Sequence, residues 1–370
     1  MLEDSTASIP PSCDVQTNIE PLFQRSGLSY EAEIYLQKRD IEKLQEECRR
    51  LMLHPFGFFS IAGKDPLCLY YTGLHLSIFE VLESTCFHIL SKNPKSKHVT
   101  IIPFKDQFFL TLIKLRANAG YIDLATRFGV SYATVQRIID IVLPILHKVV
   151  FLATMSKMPS VRKNQQSLPI CFSTFTRCRC IVDCTEVRCE IPKNMQNQKL
   201  TFSSYKHFNS LKTIIAVAPN ADCVFCSEFY PGAISDKEIF KHCGIINQLQ
   251  AGDLILADKG FLIADLVPTG VSVNIPPFLT KKQFTQAQIT ATRNIARARI
   301  HIERLNSRLK RYRILQLIPQ SLFKKSSMIL QTCAGLINFQ NPLLREIEMD
   351  LYSAEMENII SNIDNVKLNE

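Results

Sequence analysis

Near residue 166 the hydrophobic pattern changes its period, and this constrains the fold more than any other feature. Before that point apolar residues recur at helical spacing; beyond it they alternate as in strands. "CRCIVDCTEVRCEI" (178–191), "SLKTIIAVAP" (210–219) and "CVFCSEFYPG" (223–232) read as three hairpin-spaced strands. "SDKEIFKHCG" (235–244) reads as a helix, with Ser235 and Glu238 as a capping box and Gly244 at its end. "GDLILADKGF" (252–261) is a short buried strand and "GVSVNIPPF" (270–278) another, before a long basic helix. The order is β-β-β-α-β, then further β and α.

Three antiparallel strands, a crossover helix and a parallel fourth strand predict an α/β, ribonuclease-H-like mixed sheet with flanking helices. An all-α region precedes it. Within that region "YIDLATRFGVSYATVQRI" predicts a short helix from Asp123 to Arg127, a turn at Gly129, and a second helix capped by Ser131 and running through Ile139. Ala125, Gly129 and Val135 have helix-turn-helix spacing: a small residue for close approach, a glycine for positive φ, a valine to pack between the helices. The second helix then offers Tyr132, Ala133, Gln136 and Arg137 outward, where Gln and Arg can meet base edges or phosphate.

The remaining chain divides into a polar tail (1–29), a helical region (30–100), the helix-turn-helix region (101–165), the sheet domain (166–335) and an acidic tail (336–370). In residues 31–53, Ile34, Ile41, Leu44, Cys48 and Leu51 fall at heptad a/d spacing, with Gln37 breaking one d site; a homodimer contact is one expectation and packing on its own chain the other. "FKDQFFLTLIKLRANAG" (104–120) reads as an amphipathic helix ended by Asn118 and Gly120.

The charge is localised. Net charge is +9, and residues 280–313 alone hold ten Lys/Arg against one acid. A basic block on one helix points to a polyanion surface. No run of 18 apolar residues suggests a membrane span. The N-terminus lacks the apolar stretch of a secretory signal, so the thirteen cysteines are expected as reduced thiols inside the cell. "CVFC" and the nearby Cys178, Cys180 and Cys184 read as strand and core cysteines in preference to a zinc site.

Asp183 lies inside the first strand, facing the same side as Ile181 and Thr185. Asp258 lies at the carboxyl end of the fourth strand, where open α/β sheets place their sites. If those strands are neighbours, the two carboxylates meet, and their repulsion favours a bound cation. Glu303 is the one acid of the basic helix and would supply a third carboxylate. Three such groups can hold two Mg²⁺ or Mn²⁺ ions and serve phosphodiester transfer. Asp236, at the start of the crossover helix, is a rival kept in a supporting role, since the helix dipole already accounts for an acid there. Glu186 points to the other strand face. On the basic helix Ile302, Leu305, Leu309 and Tyr312 form a docking stripe. Arg299, Glu303 and Lys310 form an adjoining one, which with Arg304 and Arg308 would face DNA phosphates. His301 reads as packed or solvent-facing.

The pieces "LATRFGVSYATVQRI", "IVDCTEV", "SSYKHFNSLKTIIAVAP", "YPGAISDKEI", "LILADKGF", "NIPPFL" and "RIHIERLNSRLKRYRIL" stand in order over residues 101–335. Together they make the chain resemble Harbinger-like transposase-derived proteins of the DDE superfamily. The resemblance implies a ribonuclease-H-like fold behind a helix-turn-helix, metal-dependent DNA cleavage and strand transfer, and Asp183, Asp258 and Glu303 as the acids. A related bacterial signature, Y-x₂-R-x₃-E-x₆-K, falls on Arg299, Glu303 and Lys310, with Ala296 at its tyrosine position. The resemblance thus leads one to expect a transposase-like endonuclease in the nucleus, acting on transposon ends and served by an accessory DNA-binding protein. The alternatives are a recruited, catalytically silent DNA-binding protein, or an adaptor working through the acidic tail and the heptad helix.

Overall fold

The computed structural model describes residues 30–53, 56–92, 101–277, 283 and 285–343. The polar tail and most of the acidic tail lie outside the described residues. The chain divides after Leu53 into two compact units. The first is helix α1, Tyr30–Leu53, on which Ile34, Ile41 and Leu44 are exposed.

The second unit opens with helices. α2 (Asp65–Thr72) ends at Gly73, whose φ of 82° breaks it from α3 (Leu76–Ser91). α4 (Phe104–Ala117) ends on Asn118 in the left-handed region, as its sequence predicts. It is not amphipathic, however: every residue from Asp106 to Leu115 is buried. The polar members survive burial because each has a hydrogen-bond partner. Asp106 accepts from the Phe58 N–H at 2.8 Å, and Gln107 donates to the Ile102 carbonyl. Lys114 Nζ donates to Asn118 Oδ1 and the Ala119 carbonyl, both at 2.9 Å.

Burial brings the Lys114 pKa down to about 8. The unfolded chain therefore holds the extra proton between pH 8 and the usual 10.5, and this group makes the fold gain stability as pH rises through that window. Lys114→Met, which cannot titrate, is expected to differ from the parent in melting temperature by an amount that changes steadily from pH 7.5 to 10. A constant offset across that range contradicts the assignment.

α5 (Tyr121–Phe128), a turn at Gly129 (φ 63°) and α6 (Tyr132–His147) make the helix-turn-helix. Ser131 Oγ accepts from the Thr134 N–H, capping α6 as its position predicts. α6 runs eight residues past Ile139, through Pro144, and passes into one π turn at Lys148–Leu152. Burial of Val142, Leu143 and Leu146 offsets the hydrogen bond that proline forfeits.

After α7 (Val161–Gln166) comes the sheet. Its strands are β1 (Cys178–Arg188), β2 (Phe202–Ser203), β3 (Phe208–Val217), β4 (Cys223–Cys226), β5 (Tyr230–Pro231), β6 (Leu254–Ala257) and β7 (Ser272–Asn274). α8 (Met195–Thr201), which the sequence pattern did not reveal, leads into β2, and α9 (Asp236–His242) is the crossover. α10 (Gln286–Leu309) and α11 (Ser326–Asn338) complete the fold. The strand order is β2-β3-β1-β6-β7, with β4 and β5 also on β3. β1 is antiparallel to β3 and parallel to β6, the ribonuclease-H-like arrangement. The expected third strand is split in two, because Ser227 turns its hydroxyl into the ladder and accepts from the Ile214 N–H at 3.0 Å.

Strand alternation sorts residues between two cores. Ile181, Ile215, Val217 and Leu256 face α10, α11 and the N-terminal helices; Val182, Ile214, Ala216, Ile255 and Ala257 face α9. The α10 core is continuous from Phe58 to Phe339, so the helix-turn-helix and the sheet share one interior. α11 ties them: Gln331 bonds His147 of α6, and Asn338 makes two bonds to the Cys223 backbone of β4. Cys223 and Cys226 are buried strand residues, as their alternation predicts.

Candidate active site

Val182 pairs with Ala257 across the parallel β1–β6 ladder. The next residue on each strand is Asp183 and Asp258, so the two acids stand side by side where β6 ends. By strand parity both belong to the face that α10 covers, together with Ile181 and Leu256.

Two α10 side chains reach down to them. Arg299 Nη1 lies 3.0 Å from Asp258 Oδ1, and Asn306 Nδ2 donates to Asp183 Oδ2 at 3.0 Å. Burial pushes the Asp183 carboxyl above its usual range. The Arg299 charge and the Cys184 N–H pull it back, while the charges of Asp258 and Asp236 push it further up. A carboxylate whose charge is opposed by burial and by two like charges is a group poised to gain from a cation. The Asn306 amide oxygen is buried and has no hydrogen-bond partner among the described residues, a second oxygen donor beside Asp183.

Glu303 sits between Arg299 (i−4) and Asn306 (i+3), on the same stripe of α10. Its side chain is exposed and lines a cavity with Asn306 and Lys310. Among the described residues, no three His, Cys, Asp or Glu side chains are gathered closely enough to hold a metal ion. The structure thus joins Asp183 to Asp258 and leaves Glu303 on the adjoining surface. The physical reason is Arg299: its guanidinium answers the aspartates' charge from within, where the stripe pattern alone had it held out toward a phosphate.

Asp236 opens α9 on the opposite face of the sheet. Lys212 holds it at 3.0 Å and shares its ammonium with Glu186 at 3.5 Å. That pairing accounts for both acids, and Asp236 reaches Asp183 through its field alone.

The remaining expected residues divide. Ile302, Leu305, Leu309 and Tyr312 are buried as the docking stripe predicts, although Tyr312 lies past the end of α10. His301 is packed, stacked on Phe172 with ring centroids 5.5 Å apart. Arg304 and Lys310 are exposed, whereas Arg308 donates to the Asn341 carbonyl. On α6, Tyr132, Ala133, Gln136 and Arg137 are all exposed. Asn306 is a site residue that the sequence pattern does not single out. The signal was present in its i+3 offset from Glu303, but an amide amid basic residues does not announce a carboxylate partner.

A ribonuclease-H-like sheet with two aspartates on adjacent parallel strands, behind a helix-turn-helix, defines a DNA-processing endonuclease class. The chain belongs to the DDE superfamily of transposase-like endonucleases: residues 182–338 match the family described as DDE superfamily endonuclease, and residues 101–151 match the helix-turn-helix of DDE superfamily endonuclease. No curated protein and no solved structure matches the chain. Among the described residues no helix is long and apolar enough to cross a membrane.

Proposed function

We propose that this protein is a transposase-like DNA endonuclease that nicks a phosphodiester at transposon ends and joins the freed strand to target DNA. The observation carrying this reading is the Asp183–Asp258 pair on neighbouring strands, with the Asp183 carboxyl raised by burial and by Asp258. Hard divalent cations take oxygen ligands of this kind. Asp183 and Asp258 would hold Mg²⁺ or Mn²⁺, with Glu303 as the third carboxylate and Asp236 in a supporting role. When bound, such ions would lower the pKa of a water or 3′-hydroxyl and offset charge on the leaving oxygen.

The chain's own residues do the rest. Asn306 orients Asp183 through its amide N–H. Arg299 neutralises the carboxylate pair in the absence of substrate, and on swinging off Asp258 it offers its guanidinium to a phosphate. Lys310 and Arg304 hold flanking backbone. Tyr132, Gln136 and Arg137 of α6 meet the duplex at a distance from the cut. Nicking of terminal-repeat DNA with and without Mn²⁺ tests the reading. Metal-dependent nicks support it. Binding without nicks favours the recruited, silent DNA-binding protein, a reading to which the Arg299–Asp258 ion pair lends some weight.

The nucleus is the compartment proposed for this activity, and an accessory DNA-binding protein would add sequence specificity. A homodimer through α1 is part of the proposal, since Ile34, Ile41, Leu44 and Cys48 present their heptad faces to solvent. Sedimentation of the full chain should give a dimer, and Ile41→Asp with Leu44→Asp a monomer; a monomeric parent chain removes this part.

A further inference from the structure

A cavity of about 1060 Å³ in the second unit lies beside Glu303 and Asn306. α2, α4, α5, α10 and the turn after α10 line it. Its walls carry two kinds of group. Arg116, Lys310, Arg311 and Arg313 supply positive charge, and among the described residues none of them makes an ion pair. Arg116 has its guanidinium carbon 5.3 Å from the centre of the Tyr312 ring, and its Nη1 is buried with no hydrogen-bond partner among the described residues. Tyr70, 70% exposed, presents a ring at the rim, set edge-on against Tyr71 at 5.0 Å. Apart from Glu303, the one acid lining the cavity is Asp123, which Arg127 holds at 2.8 Å.

A positive concavity needs an anion, and a free aromatic ring at its rim suits a planar base. The volume stands at the upper end of the roughly 300–1,000 Å³ common to ligand sites. That admits an extruded nucleotide. Base stacking on an aromatic ring with the backbone tracked by cations is how single strands are held without sequence preference. We propose that this cavity binds unpaired DNA, with a base on Tyr70 and its phosphates on Arg116, Lys310, Arg311 and Arg313. The cavity would receive a strand that has left the duplex next to the carboxylates. Only this last statement rests on the endonuclease reading; the affinity itself does not.

The test uses the full chain in EDTA, so that cleavage plays no part. Fluorescence anisotropy follows a short mixed-sequence single-stranded oligodeoxynucleotide and, separately, the duplex of the same sequence. Tyr70→Ala should weaken single-strand binding about tenfold, the loss of one stacked base, and Arg311→Ala with Arg313→Ala should weaken it and flatten its salt dependence. These side chains are exposed, and thermal melts check that the variants remain folded. Single-strand affinity unchanged in both variants overturns the proposal. So does a loss confined to the duplex. Absence of metal-dependent nicking, with these losses intact, would remove the endonuclease reading and leave the binding site standing.

Discussion

Asp183→Ala is expected to lower metal-dependent nicking on the order of 10³-fold or more, the scale on which preorganised electrostatic groups act, while duplex binding in EDTA stays within twofold or so of the parent. The separation follows from position. Asp183 lies beneath α10, half-buried and bonded to Asn306, and it has no cation of its own to release to DNA. On the proposed function the exposed α6 residues and the basic block would carry the affinity, and the mutation leaves them in place. Removing one of two adjacent carboxylates also frees Arg299 and Asp258 to tighten their pair, so the variant should melt no lower than the parent. A nicking assay run beside an anisotropy titration checks both halves. Equal loss of binding and nicking would mean that Asp183 matters for the fold, contrary to the assignment.

Gly335→Leu is expected to unfold the second unit at ordinary temperature, and Gly335→Ala to cost about 3 kcal/mol, the upper range for overpacking a tight core. α11 crosses the π turn after α6 so closely that a Cβ on residue 335 would stand 2.2 Å from the Val150 carbonyl oxygen and 2.7 Å from its carbon. Both are backbone atoms, so no side-chain rotation relieves the clash. The same crossing carries the His147–Gln331 bond and leads to the Asn338 clasp on β4. Displacing α11 therefore loosens the helix-turn-helix and the sheet together. Thermal melts of the alanine variant, tracked by far-ultraviolet circular dichroism, should show one cooperative transition at lower temperature. Two separate transitions would contradict the shared core.

The strand alternation made the sheet legible, because each face buries its own core and a one-residue slip would reverse every side chain. Val182, Ala257 and the acids next to them were readable for the same reason. The helix-turn-helix was readable from Gly129 and Ser131, whose roles are local. The features that escaped depend on contacts distant in sequence. The full burial of α4 needs a partner for Asp106, the Phe58 N–H, that stands 48 positions away. The Asn306–Asp183 bond spans 123 positions. Arg299 looked like a phosphate ligand because its stripe was visible and its partner Asp258 was not. Asp236 stood in the sequence as a rival kept in a supporting role, and its partner Lys212, 24 positions away, was not visible there.

The central claim is that Asp183, Asp258 and Glu303 serve the same divalent ions in one site. Mn²⁺ electron paramagnetic resonance of the full chain, titrated without DNA and then with a terminal-repeat duplex, measures this directly. Bound Mn²⁺ is expected in the parent, lost in Asp183→Asn and in Asp258→Asn, and weakened about 10- to 100-fold in Glu303→Gln. Mn²⁺ retained at parent affinity in the two aspartate variants would contradict it.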